Sequence, residues 1–373
     1  MSWSIKLFRV KGIDVKVHLT FVLILIWAAY RWGSDTGAGW QGALFGVVAT
    51  LLLFVAVTLH ELGHSLQAIK YGVPVRDITL LPLGGVSQME EIPEKPGQEL
   101  RIAIAGPLVN FAIAALLIAV GAVLQARALI TLPELVQSLG DANWAGMLAY
   151  LTIANLALGL FNLIPAFPMD GGRVLRALLA LRMDYTKATA TAVAVGQGLA
   201  FLLGLWGFMG GDFTLVLIAI FVWMGAGQEG KQVEVKSVLR GIKVGQAMTR
   251  QPQTVSIYDP LSRVVELTLS TSQADFPVTE VENSRLVGLL TQDDMLKGLQ
   301  AHGMDARVGR VMETKFPAAA PDDLLFEAQQ RMARDRVRAM PVVDASGHLA
   351  GLLTAEDINE AYRLLSASPK GWG

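Results

Sequence analysis

The sequence predicts a multi-pass α-helical membrane protein of about six transmembrane helices with a membrane-associated β segment, followed by a smaller α/β domain. Three observations carry this expectation. Hydrophobic residues make up 53% of the 373 residues and charged residues only 17%, whereas about a quarter of an average soluble domain is charged. The apolar character ends near residue 230, beyond which the chain is mixed and charged. Past residue 244 the sequence repeats itself: Met248 and Met312, Phe276-Pro277-Val278 and Met340-Pro341-Val342, and Leu289-Leu290-Thr291 and Leu352-Leu353-Thr354 are matching landmarks. A net charge of -1 argues neither for nor against an acidic partner, and no basic block points to nucleic acid. With no cysteine, disulfides and thiolate-bound metals are excluded.

Apolar stretches of roughly spanning length fall at about 18–31, 42–69, 101–126, 146–168, 188–208 and 213–228. The first is short, so five or seven spans are also within reach. No small-residue cleavage site follows it, so it reads as a retained helix. Basic residues gather before the first stretch (Lys6, Arg9), between the second and third (Arg76, Lys95), between the fourth and fifth (Arg173, Arg182) and after the sixth (Lys231, Arg240), while the alternate loops hold little beyond Arg31 and Arg127. By the positive-inside rule both termini are cytoplasmic. The segment VPVRDITLLPLGGVSQMEEIP after the second stretch is not helical in character. It reads as an extended segment or hairpin at the membrane surface, over 75–88. The expected organisation is a membrane domain over 1–230, a linker over 231–243 and a cytoplasmic domain over 244–373, its two units at 244–300 and 308–365. Each unit reads as turn, helix, strand, strand, helix.

His60-Glu61-Leu62-Gly63-His64 lies inside the second apolar stretch and sets two imidazoles at i and i+4 on one helical face. That spacing suits a single zinc ion, with the glutamate beside the first histidine as general base. Ionisable groups at such depth are costly and usually functional; a polar cluster or a proton relay is the bland alternative. Catalytic zinc needs a third protein ligand and one open position. His18, at the edge of the first stretch, is one candidate. Asp170 is the other and is preferred, because Pro168, Gly171 and Gly172 break the helix around it and let its carboxylate turn back into the bundle. Capping of the following helix is its alternative role.

Together, His60–His64, Gly84-Gly85, Ala105-Gly106-Pro107-Leu108-Val109-Asn110, Asn162-Leu163-Ile164-Pro165 and Met169-Asp170-Gly171-Gly172 resemble the site-2 protease family of intramembrane zinc metalloproteases. The repeat is similar to a pair of cystathionine-β-synthase (CBS) motifs, so the chain looks like the prokaryotic subgroup with a C-terminal CBS pair. The resemblance implies that His60, His64 and Asp170 ligate one zinc ion and that Glu61 activates water. It makes Asn110 and Asn162 candidates for holding the developing oxyanion or the substrate backbone, with helix–helix hydrogen bonding as their alternative. It implies a transmembrane helix as substrate, unwound locally so that the segment at 75–88 can pair with it, and a site in a prokaryotic inner membrane. For the CBS pair it implies an adenine nucleotide (ATP, ADP or AMP), with Thr291 and Thr354 on the phosphate side and Asp294 and Asp357 on ribose hydroxyls, and a homodimer through these modules. A nucleotide-gated transporter or channel is the competing reading, against which the full ligand set weighs, since a pore needs no hydrolytic glutamate.

Overall fold

A computed structural model describes residues 3–35, 39–82, 84–89, 93–127, 131, 141–280 and 285–367. The chain forms two compact units, Met1–Lys231 and Gln232–Gly373.

The first unit begins with a hairpin, β1 (Ser4–Val10) and β2 (Ile13–His18), turning at Lys11-Gly12, where both residues take positive φ. Helix α1 (Phe21–Asp35) and the long α2 (Gly39–Lys70) follow. Next come β3 (Val75–Leu81) and β4 (Gly84–Met89), an antiparallel pair over the segment expected to be extended. β2 runs parallel to β3, with Val15 opposite Ile78 and Val17 opposite Leu80, so the four strands make one sheet in the order β1-β2-β3-β4. Its inner side chains, Ile13, Ile78 and Leu80, pack with Phe21, Phe54 and Leu62 of α1 and α2. Apolar side chains alternate along β2, whose inner face meets the helices.

The remaining helices are α3 (Pro96–Ala126), α4 (Trp144–Asn162), α5 (Asp170–Ala180), α6 (Tyr185–Gly210) and α7 (Phe213–Val238). Among the described residues five helices, α2, α3, α4, α6 and α7, are long and apolar enough to span a membrane. The sixth expected span corresponds to α1. Its 15 residues rise about 22 Å, short of the roughly 30 Å hydrocarbon core. Small residues fill the interior: Ala49, Ala56, Ala103, Ala114, Ala149, Ala188, Ala192 and Ala226 are buried. Large ones face outward, as with Phe208 and Met209, both 79% exposed. This inversion follows from a lipid solvent, in which close backbone approach and not apolar burial drives helix association.

The second unit holds a short helix, α8 (Val244–Ala247), then β5 (Val255–Ser256), α9 (Leu261–Ser270), β6 (Phe276–Thr279), β7 (Leu286–Leu290) and α10 (Gln292–His302). After a single 3-10 turn at Val308–Arg310 come α11 (Leu325–Asp335), β8 (Ala339–Val343), β9 (Leu349–Thr354) and α12 (Ala355–Ala367). The halves exchange edges. Thr249, at the start of the first repeat, pairs with Leu352 on β9, and Glu313, the matching position of the second, pairs with Leu289 on β7. Neither repeat completes its sheet alone. Each has its own apolar cluster, one around Leu261, Phe276 and Leu290 and the other around Leu325, Met340 and Leu353.

Candidate metal centre

The apolar run of α2 carries one turn of polar chemistry. His60 and His64, one turn apart, are 6% and 5% exposed, and their Nε2 atoms lie 3.0 Å apart. Asp170, the first residue of α5, brings Oδ2 to 3.2 Å from His60 Nε2 and 3.1 Å from His64 Nε2. Met169 occupies the cap position of that helix, so Asp170 does not serve as its N-cap. His18, the other candidate ligand, ends β2 with Nδ1 2.8 Å from Thr20 Oγ1 and lies outside this group.

The far side of each ring is fixed. His64 Nδ1 lies 2.7 Å from the Ile102 carbonyl oxygen, which can only accept, so this nitrogen holds the ring proton. His60 Nδ1 lies 2.5 Å from Asn110 Oδ1. With both rings neutral and their protons on Nδ1, the two Nε2 lone pairs converge on a carboxylate oxygen. Three acceptors packed 3.0–3.2 Å apart repel one another unless a cation sits among them. The separations are close to the roughly 3.3 Å that tetrahedral ligands subtend around zinc at about 2.0–2.1 Å. Two imidazoles and a carboxylate with hydrogen-bonded outer nitrogens fit a catalytic zinc site.

Glu61 points to the neighbouring face of α2. Its Cγ lies against the backbone of β4 at Gly85, where an added Cβ would stand 2.7 Å away. Two residues along, Ser87 Oγ is 3.0 Å from Ser65 Oγ. β4 thus runs beside α2, past the glutamate. Asn110 uses both ends of its amide on protein, Oδ1 on His60 and Nδ2 on Asn155 Oδ1 at 3.0 Å. Asn162, the last residue of α4, donates Nδ2 to the Leu158 carbonyl at 3.0 Å.

Two groups near the centre escaped the sequence reading. Asn155 is one. Arg176, between the fourth and fifth apolar stretches, is the other. It is 1% exposed and holds α5 in place through Glu99 Oε1 of α3, 2.6 Å from Nη2, and Glu229 Oε1 of α7, 2.8 Å from Nη1. Its guanidinium also stacks 5.0 Å from the ring centroids of Phe167 and Tyr185. The signal was available in both cases, because an isolated polar side chain within or beside an apolar run needs a partner.

In the second unit Thr291 precedes α10 and accepts the Asp294 N–H at 3.1 Å. Thr354 accepts the Asp357 N–H at 3.1 Å before α12. Asp357 Oδ2 accepts from the Thr354 hydroxyl and N–H, both at 2.8 Å, and its Oδ1 lies 3.2 Å from Thr249 Oγ1. Beside the first pair, burial pushes the Asp275 carboxyl above the usual carboxylate range, although it accepts the Gln292 N–H at 3.0 Å. The four expected nucleotide contacts thus form two equivalent Thr–Asp caps.

Comparison with known proteins agrees with this arrangement. The sequence model of peptidase family M50 matches residues 48–205, and that of the CBS domain matches residues 244–301 and 308–364. The chain is 37% identical to the zinc metalloprotease MJ0392 of Methanocaldococcus jannaschii over 98% of both chains. It is 29% identical to the putative zinc metalloprotease Rip3 of Mycobacterium tuberculosis, over 99% of this chain and 96% of that one. Among solved structures, the site-2 protease from Methanocaldococcus jannaschii is 42% identical, covering 61% of this chain and 95% of that chain, with a TM-score of 0.43. With the zinc-type ligand set on α2 and α5, the membrane helices and the paired repeat, the chain belongs to peptidase family M50, the site-2 protease family of zinc metalloproteases, and carries a C-terminal CBS pair.

Proposed function

We propose that this metalloprotease is an intramembrane zinc endopeptidase that cleaves transmembrane helices of membrane-protein substrates, with its CBS pair responding to an adenine nucleotide. The observation that carries the proposal is the convergence of His60 Nε2, His64 Nε2 and Asp170 Oδ2 within 3.0–3.2 Å inside the apolar helices. His60, His64 and Asp170 would hold the ion. Bound zinc polarises a scissile carbonyl and lowers the pKa of water. Glu61, beside the ligands and against β4, takes the water proton and returns it to the leaving amine. Asn110 is bonded to His60 and Asn155, so it acts on the ligand; Asn162 is left as the proposed donor to the developing oxyanion.

A substrate helix hides its carbonyls in internal hydrogen bonds and must unwind before cleavage. β3 is paired on both sides and the sheet's edges are β1 and β4; β4, which runs past Glu61, is the edge proposed to take an unwound strand. A strand added there lies beside Glu61, which joins recognition to chemistry. The charge distribution of the loops supports cytoplasmic termini, and the likeness to prokaryotic members of the family supports a prokaryotic inner membrane. In the second unit, the Thr–Asp caps at Thr291/Asp294 and Thr354/Asp357 offer helix N-termini to phosphate and carboxylates to ribose, and the modules are proposed to pair as a homodimer.

The test is cleavage of a model transmembrane substrate by purified protein beside Glu61→Gln, with bound zinc quantified in both. One zinc per chain in each, with turnover lower by about 10²–10⁴-fold in the variant, is the expected result. Unchanged turnover in Glu61→Gln, or no zinc in either protein, would refute the reading.

A further inference from the structure

One hydrogen-bond chain in the membrane unit has its sense set from its far end. Asn155 on α4 and Asn110 on α3 are each 1% exposed. Asn155 Nδ2 donates to the Leu151 carbonyl at 2.8 Å. A backbone carbonyl can only accept, so the Asn155 amide has a single orientation, with its Oδ1 toward Asn110. Asn110 must then present Nδ2 to Asn155, at 3.0 Å, and its own Oδ1 to His60 Nδ1, at 2.5 Å. An oxygen there places the ring proton on Nδ1 and leaves the Nε2 lone pair facing His64 and Asp170. An Asn110 amide turned the other way would offer NH2 to His60, draw the ring proton to Nε2 and remove a ligand. His64 has no such freedom, since the Ile102 carbonyl holds it directly.

We propose that Asn155 is a positioning residue for the metal centre: it fixes the sense of the Asn110 amide and, through it, the tautomer of His60. This rests on the reading of His60, His64 and Asp170 as zinc ligands. The competing role is a helix–helix hydrogen bond between α3 and α4 with no effect on the metal. The two separate by chemistry. Aspartate at 155 still accepts from Asn110 and preserves the sense of the chain; alanine does not. Aspartate at 110 accepts from His60 whichever way it turns, so it makes the chain independent of Asn155.

The experiment measures the zinc dissociation constant by chelator competition on the full-length protein in detergent. The proteins are the wild type, His60→Ala, Asn155→Ala, Asn155→Asp and the double variant Asn155→Ala with Asn110→Asp; thermal unfolding of each metal-free form is the control. Asn155→Ala is expected to bind zinc about 10–100-fold more weakly, with Asn155→Asp and the double variant close to wild type. Should Asn155→Ala not fold, Asn155→Ser, too short to reach Asn110, takes its place with the same expectation. Wild-type affinity in Asn155→Ala, or equal loss in the alanine, aspartate and double variants, overturns the proposal in favour of the structural role. Zinc binding by His60→Ala as tight as wild type overturns the metal-centre reading instead, and this inference with it.

Discussion

At the scale of single residues, two missing methyl groups shape the centre in different ways. Gly106 brings the α3 backbone against the imidazoles: an added Cβ would overlap His64 Nε2 and stand 2.6 Å from His60 Nε2. Gly106→Ala should therefore lose most bound zinc, measured by metal analysis, although alanine favours a helix over glycine by up to about 1 kcal/mol. Gly85 does the same for Glu61 but not for the ligands. Gly85→Ala should keep zinc near one per chain and lower substrate cleavage at least about tenfold, because only the base must move; equal loss of metal in the two variants would refute this division. The sequence shows these roles unevenly. His60, Glu61 and His64 are legible because their spacing is local to one helix. Gly106 stands in the sequence only as part of a motif, since the imidazoles it meets lie about forty residues earlier. Asn155 passed unnoticed because its partner is on another helix.

At the scale of elements, the apolar windows located the long helices well, and the differences have physical causes. α3 begins at Pro96, five residues before its apolar window, because Glu99 is paired with Arg176 and the polar first turn belongs to the helix. The hairpin β1–β2 was missed, although apolar residues alternate through Ile13, Val15 and Val17. Lys6, Arg9 and Lys16 made the segment read only as the charged flank of the first apolar stretch, and its parallel partner β3 lies some sixty residues away. That sheet changes where a substrate strand can add. With β3 internal, proline along 75–80 would break the sheet itself, so the informative positions are on β4. Val86 and Ser87 are neighbours, opposite Thr79 and Ile78, and adjacent N–H groups on a strand point to opposite sides. Proline at whichever of the two faces the open edge should abolish cleavage and spare zinc. Proline at the other should disrupt the strand pair and lower thermal stability. Cleavage retained by both variants would rule out edge addition.

At the scale of the whole molecule, the two units obey opposite solvents and should unfold as separate transitions. The membrane unit turns large apolar side chains outward and keeps alanine inside, whereas the second unit buries Phe276, Leu290, Met340 and Leu353 completely. The repeat was visible in the sequence because its landmarks recur at fixed spacing. The exchange of edges between repeats was not, since Thr249 pairs with Leu352 and Leu289 with Glu313 only once both halves are folded. That exchange makes the second unit one cooperative body, so a ligand at either Thr–Asp cap stabilises all of it. At about 100 times its dissociation constant a nucleotide adds roughly 2.7 kcal/mol, worth on the order of 5–15 °C for a unit of this size. Scanning calorimetry with ATP or AMP should move the transition of the second unit by that amount and leave the membrane transition in place. The Asp294→Asn and Asp357→Asn double variant should lose the shift, because each change removes a carboxylate proposed to meet ribose. A full shift in the double variant would move the nucleotide elsewhere on the unit. A shift of the membrane transition in the wild type alone would show instead that nucleotide bound at the caps also stabilises the membrane unit.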